Sequence, residues 1–310
     1  MKRMLRIAAG IALVASITGC ELLFSGKNLF AGLDGPDMDE LKKATGSDLI
    51  DLLNESKGGE SGGFGDTFLE KVKTEGSGPA IVANLALIYA SGSTASPTSQ
   101  AEAANLAADL LLGTTETGDV VNSIVGAVIG ETNIAPETIL SSVLQGTTAA
   151  TNSTEFYQFM DNMIMVSDAY QNIGDSYTTN GELVPIDLAD GQTAAVSIIF
   201  STLVDIVDIT AFDASYPGMT TLTDDQKKSV VLFDEVISPM LNGDTADLTT
   251  AFGTGTAAET AFDNLMPVDS VPDDPDDPAT IGLQIDPADS SFSALMFYSG
   301  ASTLIEMIDQ

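Results

Sequence analysis

The stretch Ala194-Ala195-Val196-Ser197-Ile198-Ile199-Phe200-Ser201-Thr202-Leu203-Val204-Asp205-Ile206-Val207-Asp208-Ile209 decides the fold class. Its apolar residues do not alternate as a half-buried strand requires, and the run is long enough for several helical turns. They cover most sides of the helix, and a helix apolar all round belongs in the centre of a packed array. A membrane span is excluded, because Asp205 and Asp208 fall inside a run already shorter than the roughly 20 residues a bilayer needs. Residues 119–129 are apolar on most sides in the same way. The expectation is an all-α protein: an irregular multi-helix array with apolar central helices and amphipathic ones outside.

Helix start signals recur outward from this centre. Ser99 with Glu102 forms a capping box before Ala103 to Leu112, with Gly113 as the stop. Asn152 with Glu155 opens a helix to about Asn172, and Thr223 with Gln226 opens one to about Leu241, before Asn242-Gly243. Thr256 with Glu259 opens a short helix to Leu265, and Pro136 suits a first helical position. Further helices are expected over 37–54, 79–90, 117–129, 191–209 and 290–308. Val184-Pro185-Ile186 is the nearest approach to a strand, and Pro185 weakens it. Glycines at 58, 59, 62, 63 and 65 mark residues 56–65 as a flexible loop. Helix pairs spaced at about 30–40 residues allow tetratricopeptide-like helical hairpins as an alternative. The Trp, Gly, Tyr and Pro pattern of that repeat is not recognisable.

The N-terminus has a separate logic. Lys2, Arg3 and Arg6 precede an apolar run from Ile7 to Ile17, too short to span and suited to a signal-peptide core. Ile17-Thr18-Gly19-Cys20 follows: an aliphatic residue, two small ones and the sole cysteine of the chain. This segment resembles the signal peptide and lipobox of bacterial lipoproteins, over about the first 20 residues. The resemblance implies cleavage before Cys20, a diacylglycerol on its thiol and an N-acyl chain on its new amine. Several acyl chains anchor durably where one would not. The expected organisation is a signal peptide at 1–19, a lipidated tether at 20–36 and an all-helical acidic domain at 37–310. The expected location is the cell envelope, at the outer membrane rather than the inner, with Glu21 following the cysteine.

Charge narrows the partners. The chain holds 45 acidic and 11 basic residues, a net −34, and no basic residue lies between Lys73 and Lys227. Nucleic acid is excluded, because neutralising phosphates takes clustered Lys and Arg. Self-repulsion on this scale should be relieved by screening. Melting temperature is therefore expected to climb through a sodium chloride series, and a fall would contradict that picture.

The residue inventory excludes much chemistry. There is no His, so Ser-His-Asp and Cys-His pairs and His-bearing zinc sites are absent. No Gly-Lys-Ser/Thr phosphate loop occurs, which argues against a nucleotide ligand. Carboxylates remain. Paired acids can hydrolyse glycosides, but with 45 of them sequence spacing singles out none. Asp273, Asp274, Asp276 and Asp277 invite calcium, yet they lack the spacing of a calcium loop. With Pro272, Pro275 and Pro278 they read as a stiff, self-repelling linker near 269–280. Phe156, Phe159, Met160, Met163 and Tyr170 form one helical stripe, which is either core or an adaptable groove for a peptide or lipid. The expected function is a non-catalytic helical scaffold or binding module, with a membrane lipid anchor and an envelope protein or peptide as partner. No cofactor is expected beyond the lipid. The alternatives are a carboxylate-dependent glycan hydrolase and a calcium-binding envelope protein.

Overall fold

The computed structural model describes residues 37–57, 63–129, 144–253, 264–265 and 285–301. In chain order its helices are α1 Met38–Leu41, α2 Gly46–Glu55, α3 Asp66–Thr74, α4 Gly78–Tyr89, α5 Pro97–Thr114 and α6 Glu116–Ile129. After a 3-10 turn at Thr148–Ala150 come α7 Ser153–Asn180, α8 Leu188–Asp205, α9 Phe212–Ser215, α10 Asp224–Leu232, α11 Ser238–Leu241, α12 Leu248–Phe252 and α13 Ser291–Tyr298. The protein is all-α. Among the described residues the one β feature is an isolated bridge between Lys57 and Phe64. Val184-Pro185-Ile186 forms no strand; Ile186 is buried and the Val184 carbonyl accepts from the Tyr177 hydroxyl.

The hub is α7, with α5, α8, α10 and α13 packed around it. At 28 residues it is about 42 Å long. Phe156, Phe159, Met160, Met163, Val166, Tyr170, Ile173 and Tyr177 are buried along it at three- and four-residue spacing. That stripe makes one seam, and fully burying each large side chain is worth about 1.5–3 kcal/mol. Asn152 caps the helix, its side chain accepting from the Glu155 N–H at 2.9 Å. The helix continues past Asn172, because Ile173 and Tyr177 prolong the seam, and stops at Gly181, which takes φ +74°. In α8, every residue from Gly191 to Ser201 is buried.

Other helix ends also depart from the sequence expectation, each for a local reason. α5 is capped by Ser96, whose Oγ accepts from the Ser99 N–H at 3.1 Å, and Pro97 takes the first turn. Gly113 does not end it: a Cβ there would lie 2.7 Å from the Leu69 methyls, so the glycine serves close packing. α8 starts three residues before the expected 191, on a capping box of Asp187 and Asp190. The helix expected over 37–54 breaks at Lys42–Thr45, where the Asn84 amide donates to the Lys42 and Ala44 carbonyls at 3.1 and 3.2 Å. α13 ends at Tyr298, short of 308, with Gly300 at φ +73° turning the chain.

The box of Thr223 and Gln226 opens α10 as expected. Between α10 and α11 the backbone widens to a π-turn over Phe233–Ile237. Pro239 supplies the reason, since it has no N–H for the Glu235 carbonyl. The N–H of Asp247 takes that acceptor at 2.8 Å. The helix expected at Pro136 lies outside the described residues, as do most of the one opened by Thr256 and the linker near 269–280.

Candidate functional site

α4 and α7 both pack on α5 but scarcely on each other, and a furrow of about 450 Å³ runs between them. Its α4 wall is Gly78, Pro79, Val82, Ala83, Ala86 and Tyr89. Leu111, Thr114 and Thr115 come from the C-terminal end of α5. The α7 wall is Asn162, Met165, Asp168 and Asn172, beside the buried seam. α4 is apolar nearly all round, and its two sides serve different neighbours. Ile81, Leu85 and Ile88 fill the core, while Pro79, Val82, Ala83, Ala86 and Tyr89 line the gap. Met165, in the α7 wall, is 37% exposed. The volume falls in the range of ligand sites, about 300–1,000 Å³.

The electrostatics are one-sided, since among the described residues no basic one lines the furrow. The Asp168 carboxyl is held above the ordinary carboxylate range by desolvation and by the negative Asp205 and Asp225. Burial pushes the Tyr89 phenol up to about 12, with Asp168 adding to the shift. Asp161 lies two turns before Asp168 on α7 and accepts from the Gln226 amide at 3.1 Å. Lys228 stands 3.5 Å from Asp205 and 3.7 Å from Asp225.

A second acidic group lies elsewhere. Lys57 pairs with Asp109 at 2.7 Å. Asp190 accepts from the Asp187 N–H at 3.0 Å and from the buried Tyr170 hydroxyl. Burial and the neighbouring Asp109 and Asp187 push the Asp190 carboxyl up to about 7, against the opposing pull of its backbone hydrogen bond and Lys57. A carboxyl that holds a proton near neutrality beside ionised carboxylates is general-acid chemistry in principle. These residues do not line the furrow.

The Phe156, Phe159, Met160, Met163 and Tyr170 stripe is core and not a groove; each residue is at most 5% exposed. Phe156 packs against Phe233 with ring centres 5.2 Å apart, and Phe159 meets Phe200 edge-on at 6.4 Å. The neighbouring helices cover the stripe, so it offers no surface to a ligand. Ile17, Thr18, Gly19 and Cys20 lie outside the described residues, as do Asp273, Asp274, Asp276 and Asp277. Among the described residues no group of three or more acidic, His or Cys side chains is placed to hold a metal ion. No described helix is long and apolar enough to cross a membrane.

The furrow and the Asp190 group both escaped the sequence reading. No pattern within α4, α5 or α7 alone could have signalled the furrow. The Asp187-x-x-Asp190 spacing could have signalled the box, but not the contacts with Asp109 and Lys57. Comparison with protein-family models, with curated proteins and with solved structures finds no match to this chain.

Proposed function

We propose that this protein is a lipid-anchored component of the bacterial cell envelope, a non-catalytic helical binding module tethered through acyl chains on Cys20. The furrow between α4 and α7 supports the binding role: it is an exposed, mostly apolar concavity with a single carboxylate, Asp168, in its wall among the described residues. A hydrolase would need two carboxylates in one concavity, about 5–9.5 Å apart with a sugar between them. The lipobox-like Ile17-Thr18-Gly19-Cys20 supports the anchor. A domain held at a membrane meets neighbouring proteins at raised effective concentration, so weak grooves suffice.

Two measurements test the two halves of this reading. Cys20→Ala should leave an uncleaved precursor that takes up no labelled palmitate. A variant still matured and lipidated would refute the anchor. Crosslinking in intact cells should repeatedly capture one envelope partner. Glycan cleavage that disappears in Asp190→Asn would replace the binding role with an enzymatic one.

A further inference from the structure

The furrow lies between two helices that share a third, and at about 450 Å³ it can take one face of a further helix but not its whole girth. Two helices resting side by side on a third normally close together at 8–10 Å. Here α4 and α7 both rest on α5 and touch each other little. The α4 wall is 12 residues, about 18 Å or three turns. Its middle is low, with Ala83 and Ala86 between Val82 and Tyr89, so an occupant can set apolar side chains there. This is the helix-in-groove mode, read through anchors at three- and four-residue spacing.

Charge selects the kind of helix. Along the α7 edge stand Asp161 and Asp168, with Asp205 and Asp225 beyond them. Lys228 lies against Asp205 and Asp225 and leaves the furrow wall without a cation. An acidic helix or an anionic headgroup would be repelled here; a lysine or arginine flanking an apolar face would be drawn in. Resting on the binding-module reading above, we propose that the furrow docks a basic amphipathic helix of a second protein. The apolar face of that helix lies on Val82, Ala86 and Leu111, and its cations reach Asp168 and Asp161.

The test uses the full chain in zwitterionic nanodiscs and three labelled 14-residue peptides. One carries leucines at helical spacing flanked by lysines, one has the lysines replaced by glutamates, and one is the first with its order scrambled. The lysine peptide should bind, the glutamate peptide should not, and the scrambled peptide should bind far more weakly. Ala86→Trp fills the furrow and should weaken binding about tenfold or more. Met165→Gln, at an exposed position in the α7 wall, should weaken it several-fold. Asp168→Asn should cost about two- to fivefold and flatten the salt dependence. Equal binding by the scrambled peptide would reduce the effect to bulk charge and overturn the proposal. So would indifference to both Ala86→Trp and Met165→Gln, or hydrogen exchange showing α4 covered by the chain itself before peptide is added. A cell-envelope partner crosslinked to another face, with no peptide in the furrow, would sink this inference and leave the binding-module reading intact.

Discussion

Replacing Gly174 by alanine should lower the melting temperature by roughly 6–12 °C, although alanine is the better helix former. At an open helical site the exchange would stabilise by about 1 kcal/mol. Position 174 is closed. A Cβ there would lie 2.3 Å from the carbonyl oxygen of Ser291, the first residue of α13. Backbone cannot rotate aside as a side-chain methyl can, so α13 must lift from α7. That strips cover from Phe292, Leu295 and Met296, all buried in the native packing. Overpacking of this kind costs about 1–3 kcal/mol, occasionally more. At about 3 kcal/mol, and roughly 2–4 °C per kcal/mol in a domain of this size, the stated fall follows. Gly113→Ala is the control. Its Cβ meets only the Leu69 methyls, which can turn away, so its effect should be small. Thermal unfolding of both variants, with hydrogen exchange across 291–301, checks the mechanism. An unchanged or raised melting temperature in Gly174→Ala would mean that α13 does not seat as described.

The same glycines explain where sequence reading succeeded and where it stopped. Caps are local chemistry. Asn152 and Thr223 each face a hydrogen-bond partner three residues on, so both helix starts were legible without knowledge of the fold. Helix ends were less so. Gly113 looks like a stop, but its role is set by Leu69, which is distant in the chain. Gly181 does stop a helix, because there the backbone adopts φ +74°. Nothing in the residue type separates the two cases. The seam on α7 was legible as a periodic apolar stripe, but periodicity cannot say whether a neighbour covers it. The furrow lay hidden because its walls come from three helices, α4, α5 and α7, and no one of them carries a pattern that marks a gap. It appears only once α4 and α7 are set on α5.

Stability should rise as pH falls from 8 towards 5, and Asp190→Asn should abolish much of that slope. The folded chain holds the Asp190 carboxyl near 7, by burial first and by Asp109 and Asp187 next. An unfolded aspartate titrates near 3.9. Between those values the folded state keeps a proton that the unfolded state has released. This group's contribution to stability is therefore full below about pH 4. It is lost as pH rises through 7, by about 1.4 kcal/mol per unit at its steepest. Asp161, Asp168 and Asp234 are shifted upward as well and add to the same slope. Asp208 and Asp247 act in the opposite sense. Backbone hydrogen bonds from Thr210 and Thr250 lower them, so their contribution fades only as pH falls below the ordinary carboxylate range. The window from pH 5 to 8 thus isolates the raised group. Asparagine resembles protonated aspartate in shape and can still accept from the Asp187 N–H. Asp190→Asn should therefore stabilise the protein by about 4 kcal/mol at pH 8 and by only about 1.5 kcal/mol at pH 5. Removing the one cation that opposes the shift, with Lys57→Met, should steepen the slope instead. Denaturant unfolding at four pH values would measure all three proteins. A flat profile in the parent chain, or an Asp190→Asn variant less stable at pH 8, would show that the carboxyl is not held protonated by the contacts around it.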